Sequence, residues 1–223
     1  MSDCEGRHPC VEIFFLTDRF LLFMMPPMGR PRGFDIEEAT DQAMLAFWRS
    51  GYGGTSLNDL MTATGLEKGS LYKAFGSKEN LFLAALDRYL SAGVTQIEST
   101  VRNAPSAVEA LRTVLDGVSE SCSGARGAAG CLAVNATIEA EDGPESAARR
   151  LAHHWAWNRS LFERVISQGQ AENSFRDDLP AADLAEILTR LVIGTAVVCR
   201  RDAGAGSDLS KRALALLTPA RPL

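Results

Sequence analysis

The chain has 223 residues, of which 46% are hydrophobic and 23% are charged, as in ordinary soluble globular proteins. Its 28 acidic residues outnumber its 23 lysine and arginine residues, giving a formal net charge of -5. These values exclude a polybasic protein that holds nucleic acid by bulk charge, and also collagen-like and disulfide-framework proteins. A local basic surface is still compatible with them, because three of the four lysines, Lys68, Lys73 and Lys78, fall within eleven residues.

The cysteines and histidines lack the spacing of a metal site. No Cys-x-x-Cys motif is present, and His153-His154 lacks the glutamate and the spacing of a zinc-protease helix. We therefore predict no metal and no cofactor. Because an odd, scattered set of cysteines rarely forms a disulfide framework, we expect reduced thiols, as in the cytoplasm. The cysteines are Cys4, Cys10, Cys122, Cys131 and Cys199.

The N-terminal residues differ in composition from the rest of the chain. Residues 11–25 are apolar but are interrupted by Asp18 and Arg19, so neither half approaches the roughly 18 to 20 residues of a membrane span. No cleavage site of small residues follows, which argues against a secretory signal. Since Met28 begins a Met-Gly-Arg-Pro-Arg sequence, we expect translation to start there and residues 1–27 to be an upstream extension. The alternative is a short apolar helix packed on the body of the protein.

From residue 35 onward, helical periodicity dominates the sequence. Asp35 is the expected N-cap of a first helix, which the three glycines of residues 51–54 are expected to end. A second short helix and a three-residue turn lead to a third helix over residues 67–75, and Ser77 caps a fourth. The pattern predicts an all-α fold. Later helices are expected near residues 105–122, 130–141, 144–170, 180–201 and 207–217.

The third predicted helix separates an apolar face from a polar one. Successive residues in a helix are rotated by about 100°, which places Leu71 on the apolar face. Gly69, Tyr72 and Lys73 fall on the opposite face. Lysine and tyrosine donate to phosphates or base edges, a glycine lets a helix approach a groove, and a short basic arm before the first helix suits a minor groove. This combination predicts a helix-turn-helix DNA-binding domain.

Two segments carry a family resemblance: Gly-Tyr-Gly-Gly-Thr-Ser-Leu-Asn-Asp-Leu at residues 51–60, and Gly-Leu-Glu-Lys-Gly-Ser-Leu-Tyr-Lys-Ala-Phe-Gly-Ser-Lys-Glu-Asn-Leu-Phe at residues 65–82. With them, residues 29–89 resemble the DNA-binding domain of TetR-family transcriptional regulators. The resemblance implies a three-helix DNA-binding domain at residues 28–88 and a larger helical domain for ligand binding and dimerisation at residues 89–223. It implies a homodimer that binds a palindromic operator in double-stranded DNA, represses a promoter and is released by a small-molecule inducer.

The same resemblance implies which residues contact DNA. Carried over position by position, they are the base-facing Lys68, Gly69, Ser70 and Lys73, the phosphate-contacting Thr55, Tyr72 and Lys78, and the arm residues Arg30 and Arg32.

The C-terminal part offers a candidate effector site. Small-molecule pockets combine apolar walls with a few polar groups, and the residues between 131 and 162 supply that mixture, although they also suit an ordinary core. The segment Gly130-Cys131-Leu132-Ala133-Val134-Asn135 resembles one in TetR-family subgroups, including some that sense electrophiles through a cysteine there. A reactive thiol and an inert packed thiol both remain open at this position. The candidate ligand-binding residues are Cys131, Asn135, His154, Trp157 and Phe162.

The last two predicted helices are strongly apolar. They predict a two-helix face that pairs with its twin as a four-helix bundle, and the alternative is that the same residues form the chain's own core. The candidate interface residues are Leu184, Leu188, Leu191, Gly194, Thr195 and Leu214.

Other classes of function fit the sequence less well. Phosphate-loop, dinucleotide and nucleophile-elbow motifs are missing, which argues against an enzyme and against catalytic residues. The acidic residues between 139 and 145 suit a solvated helix break better than a paired-carboxylate site. An architectural DNA-binding protein without ligand control is a further alternative, which the large C-terminal part disfavours. We expect a cytoplasmic regulator without a membrane segment.

Overall fold

The computed structural model describes residues 35–122, 129–141, 143–202 and 204–219. Within these ranges the regular elements are helices, which confirms the predicted all-α fold, and none of them is long and apolar enough to cross a membrane. The predictions for residues 1–27, for Cys4 and Cys10 and for the arm residues Arg30 and Arg32 lie outside these ranges. The helices are α1 (Ile36–Gly54), α2 (Leu57–Thr64), α3 (Lys68–Phe75), α4 (Lys78–Asn103), α5 (Ala107–Ser121), α6 (Leu132–Ile138), α7 (Glu145–Ala171), α8 (Ala181–Cys199) and α9 (Leu209–Leu217).

Polar caps begin three helices of the N-terminal part, and Asp35 and Ser77 are caps as predicted. The Asp35 carboxylate accepts from the backbone N–H of Glu37 at 2.8 Å. Ser56 begins α2 in a capping box, and Ser77 begins α4 by accepting from the backbone N–H of Asn80 at 3.0 Å. Each cap satisfies an N–H group that has no partner within its own helix. Local sequence therefore sets where these helices start.

Helix α1 ends within the three glycines, as predicted. Its last residue is Gly54, and the helix is interrupted by a kink at Gly51, where φ is +72°. Glycine adopts this left-handed conformation at little cost. A side chain there would also overlap the carboxylate of Glu139. The glycine therefore bends α1 and lets its last turn lie against Glu139.

One apolar core joins α1 to α4 with α6 and the start of α7. Phe47 and Leu60 lie fully inside it, with 0% exposure, and the Phe47 ring meets the edge of Phe82 at 5.0 Å between centroids. Asp41, 4% exposed, accepts from the Arg88 guanidinium of α4 at 2.8 Å. This core fixes α1 against α4. Since α4 runs from residue 78 to residue 103, it crosses the predicted domain boundary after residue 88.

A second apolar core joins α5, α7, α8 and α9. Leu184, Leu188 and Leu214 belong to it and are no more than 7% exposed. These three predicted interface residues therefore pack inside the chain. This agrees with the alternative that the last two helices contribute to the chain's own core. The remaining candidates are at least partly accessible on α8: Leu191, Gly194 and Thr195.

A disulfide joins Cys122 to Cys199, which corrects the expectation of reduced thiols. The two residues are 77 positions apart in sequence, near the ends of α5 and α8, and their Cα atoms lie 5.3 Å apart. Helix packing in the second core brings these ends together, so the pairing depends on tertiary structure. A Cβ at Gly206 would lie 3.0 Å from the sulfur of Cys122, so the chain passes close to the bond. Among the described cysteines, Cys131 is free.

Candidate nucleic-acid interface

Helices α2 and α3 form the predicted helix-turn-helix. Gly65, with φ at +67°, ends α2 in the left-handed conformation. The hydroxyl of Thr64 accepts from the backbone N–H of Leu66 at 3.3 Å, which closes the turn. Leu71, 3% exposed, anchors the inner face of α3 in the core that contains Leu60. The two helices are therefore held as a unit, and the outer face of α3 is free to meet a partner.

The outer face of α3 carries the predicted base-facing residues. Lys68, Gly69 and Lys73 are exposed, and Ser70 is half-buried beside them. A Cβ at Gly69 would meet no atom within 4 Å, so packing within the chain does not require glycine here. Tyr72 is 46% exposed on the same surface. A small residue among donors at the start of an exposed helix allows close approach to a groove.

Lys78 extends this surface at the first turn of α4. Its ammonium nitrogen lies 4.4 Å from the centroid of the Tyr52 ring, a cation–π contact that limits where the side chain can point. Helix N-termini also present unpaired N–H groups and favour anions. Lys78 therefore occupies a position suited to a phosphate.

Thr55 is buried inside the chain, which corrects the phosphate contact that the resemblance implies for it. The residue is 1% exposed, and its hydroxyl donates to the carbonyl of Gly51 at 2.6 Å. The hydroxyl is therefore engaged inside the chain, where it joins the kinked end of α1 to the start of α2.

The candidate effector residues do not surround a single cavity among the described residues. Cys131 precedes α6, half-buried, and its sulfur accepts from the Tyr89 hydroxyl at 3.4 Å. Burial and the neighbouring Cys131 raise the pKa of Tyr89 well above its ordinary value, so Tyr89 keeps the proton that it donates. Trp157 stacks on His154 at 5.8 Å between ring centroids. Phe162, 2% exposed, belongs to the second core.

Within the described ranges, three buried polar atoms lack a hydrogen-bond partner: Asn135 Oδ1, His154 Nδ1 and Asn158 Oδ1. The other end of the Asn135 amide donates to the carbonyl of Ala129 at 2.8 Å, which fixes its orientation. Burial lowers the pKa of His154, which favours the neutral imidazole. An unpaired buried polar atom costs free energy, so these atoms are candidates for contact with a bound molecule. No cluster of metal-ligating side chains occurs in the described ranges.

Two contacts between α1 and the α6 region were missed by sequence reasoning. The indole N–H of Trp48 donates to the carbonyl of Gly130 at 2.8 Å, and the backbone N–H of Tyr52 donates to the carboxylate of Glu139 at 3.0 Å. The sequence carried a weak signal only for the second, because a glycine in a helical pattern marks a bend. Glu139 was assigned to a solvated surface, and this contact corrects that assignment.

Two family descriptions match the chain: "Bacterial regulatory proteins, tetR family" over residues 39–85 and "Tetracyclin repressor-like, C-terminal domain" over residues 107–206. The HTH-type transcriptional repressor ComR of Escherichia coli K12 is 31% identical over 176 residues, which are 78% of this chain and 84% of ComR. The HTH-type transcriptional repressor BdcR of the same strain is 28% identical over 137 residues, which are 61% of this chain and 68% of BdcR.

A solved structure also resembles the fold described above. It contains a cysteine mutant of the TetR family transcriptional regulator CifR in complex with a 26-bp double-strand operator DNA. The TM-score is 0.73 at 31% sequence identity, over 85% of this chain and 100% of the CifR chain. These relatives are regulators and not enzymes. The extent of the matches, together with the exposed lysine-bearing face of α3, shows that the chain belongs to the TetR family of DNA-binding transcriptional regulators.

Proposed function

We propose that the chain is a repressor that binds a palindromic operator as a homodimer in the cytoplasm and is released by a small-molecule inducer. The observation that carries the proposal is the outer face of α3, where Lys68, Gly69 and Lys73 stand exposed on a helix whose inner face is anchored. ComR and BdcR are named as repressors, and CifR was solved on operator DNA, which supports the same role here. Lys68, Ser70 and Lys73 would read bases, and Tyr72 and Lys78 would contact phosphates.

The exposed face of α8 supports the dimer. Ile187 and Val198 are 54% and 52% exposed, which is unusual for aliphatic residues on a helix otherwise packed in the core. A Cβ at Gly194 would meet no atom within 4 Å, so this glycine leaves room for a second helix. Beside it, residues of α7 and α8 line a cleft of about 310 Å³. A second copy that covers this face would bury Leu191 and Thr195 as well.

The inducer site is proposed at the unpaired buried atoms of His154 and Asn158, which lie one turn apart on α7. An amide oxygen and the nitrogen of a neutral imidazole suit a ligand that carries hydrogen-bond donors. Trp157 would supply an apolar wall beside His154. Release needs little energy, because a tenfold loss of operator affinity corresponds to about 1.4 kcal/mol of differential binding.

The experiment that tests this function begins with DNA selected by the purified protein from a randomised duplex library. Footprinting on the selected duplex is expected to show two symmetric half-sites, and sedimentation is expected to give a dimer. Small molecules with hydrogen-bond donors are then titrated against the complex. If the protein selects no DNA sequence, the proposed repressor function is wrong. If it selects a sequence but no compound changes its binding, the result favours an architectural DNA-binding protein without ligand control.

Lysine variants test the DNA face. We expect Lys73→Ala to lose about 1 to 3 kcal/mol of discrimination at one base pair, because a lysine that reads a base edge contributes about that much. We expect Lys78→Ala to weaken binding to all DNA sequences alike. We also expect the slope of log K against log salt to become less steep by about one, as for one lost phosphate contact. Lys211→Ala, exposed on α9, is the matched control. The assignment of the face is contradicted if Lys211→Ala weakens binding as much as the other two.

A thiol sensor of the same family is the second candidate function. The observation that favours it is the free, half-buried Cys131, whose sulfur accepts from Tyr89 and whose neighbour Gly130 accepts from Trp48 of α1. We expect N-ethylmaleimide to release the selected DNA from the wild type and to leave the Cys131→Ser variant bound, because the other two described cysteines are paired. Equal release from both proteins, measured by fluorescence anisotropy, excludes Cys131 as the sensor.

A further inference from the structure

Helix α6 is attached to α1 at both of its ends. Before its first turn, the carbonyl of Gly130 accepts from the indole of Trp48 at 2.8 Å. After its last turn, the carboxylate of Glu139 accepts from the backbone N–H of Tyr52 at 3.0 Å. The two contacts join parts of the chain that are 82 and 87 residues apart. Since α1 packs on α2 and α4, which in turn contact α3, α6 is in a position to set how the DNA-binding helices lie on the rest of the chain.

The contact made by Glu139 fits the kink in α1 closely. A helix that bends at Gly51 leaves backbone N–H groups without their usual partner inside the helix. Glu139 supplies an acceptor for Tyr52, and the missing Cβ at Gly51 supplies the space for the carboxylate. A carboxylate on a backbone N–H is a charge-assisted hydrogen bond, which is stronger than a neutral one.

The residue that Glu139 holds leads directly to the DNA face. The ring of Tyr52 lies 5.0 Å from the ring of Phe82 in the core and 4.4 Å from the ammonium group of Lys78. The carbonyl of Gly51, one residue earlier, accepts from the hydroxyl of Thr55 just before α2. A shift of the last turn of α1 would therefore move both Lys78 and the start of the helix-turn-helix.

We propose that Glu139 is a positioning residue for operator binding. Its carboxylate fixes the kinked last turn of α1, and with it Lys78 and Thr55 just before α2, in the arrangement that binds DNA. This role differs from a direct DNA contact, because a carboxylate would repel phosphates. It depends on the hydrogen bond to Tyr52 rather than on the negative charge alone, so a neutral acceptor of the same length would preserve much of it.

The test compares Glu139→Ala with Glu139→Gln on the duplex that the wild-type protein selects from a randomised library. We expect Glu139→Ala to lose about tenfold in affinity, because a hydrogen bond to a charged group is lost, and Glu139→Gln to stay within about threefold of the wild type. Hydrogen exchange at the Tyr52 amide is expected to accelerate in the alanine variant and much less in the glutamine variant. Circular dichroism gives the unfolding temperature of each variant, and the affinities are compared at a temperature below all of them.

Glu145→Ala is the matched control, since Glu145 is also acidic and its ion-pair partner among the described residues is Arg149, one turn along the exposed side of α7. It removes one negative charge without touching α1 and is expected to stay within about threefold of the wild type, as is usual for an exposed pair. The proposal is overturned if Glu139→Ala binds as well as the wild type or better, or if Glu145→Ala loses as much. Equal losses in Glu139→Ala and Glu139→Gln also overturn it, because the carboxylate charge would then be what matters. A wild-type protein that selects no DNA refutes the operator-binding function itself, which is a different failure.

Discussion

Reduction of the Cys122–Cys199 disulfide is expected to lower the free energy of unfolding by about 4 kcal/mol. The bond joins residues that are 77 positions apart, and closing a loop of that size removes much of the conformational freedom of the unfolded chain. Both residues lie inside the protein, at 2% and 3% exposure. The stabilisation therefore acts mainly through the unfolded state.

The measurement is denaturant unfolding of the wild type with and without dithiothreitol, at one fixed protein concentration because a dimer would make the midpoint depend on it. The Cys122→Ala/Cys199→Ala variant is the control. Its midpoint should fall below that of the oxidised wild type and should not respond to the reductant, since Cys131, the remaining cysteine in the described ranges, forms no bond to lose. A wild-type midpoint that is unchanged by dithiothreitol would show that the disulfide does not stabilise the protein in solution.

The parts of the fold that sequence reasoning predicted are those set by local interactions. Asp35, Ser56 and Ser77 cap helices because their side chains reach N–H groups two or three residues away. The inner and outer faces of α3 follow from helical periodicity alone, with Leu71 buried and Lys73 exposed. The exposure of Lys68, Gly69 and Lys73 was therefore predictable, because all three lie on one face of a single short helix.

The parts that were mispredicted or missed depend on contacts between distant segments. Cys122 and Cys199 meet only after α5 and α8 have packed, and no spacing in the sequence marks them as partners. Glu139 shares its acidic surroundings with several neighbours, and only the bend at Gly51 selects it as a hydrogen-bond acceptor. The apolar pattern of α9, which contains Leu214, suits a core helix and a dimer helix equally well. Periodicity alone could therefore not decide between the two.

The DNA-binding part is expected to be most sensitive to changes at Phe47. Replacement of this residue by alanine should lower the free energy of unfolding by about 3 to 5 kcal/mol, because it leaves a cavity in a fully packed site. Phe47 is 0% exposed and meets the edge of Phe82 at 5.0 Å, so the cavity would open between α1 and α4. The same aromatic cluster includes Tyr52, whose ring lies 6.3 Å from that of Phe47 and supports Lys78.

Two further variants separate cavity formation from a general effect of changing α1. Ile36→Ala removes an apolar side chain that is 55% exposed on the same helix and should change stability by no more than about 0.5 kcal/mol. Phe47→Leu keeps most of the volume and should cost less than half as much as alanine. Denaturant unfolding gives the three values, and similar losses for Ile36→Ala and Phe47→Ala would contradict the packing argument. The ring of Phe47 supports Tyr52, and the ring of Tyr52 supports Lys78. Phe47→Leu should therefore also lower the affinity for the selected duplex under conditions where the protein stays folded. That result would connect the packing of this core to the phosphate contact.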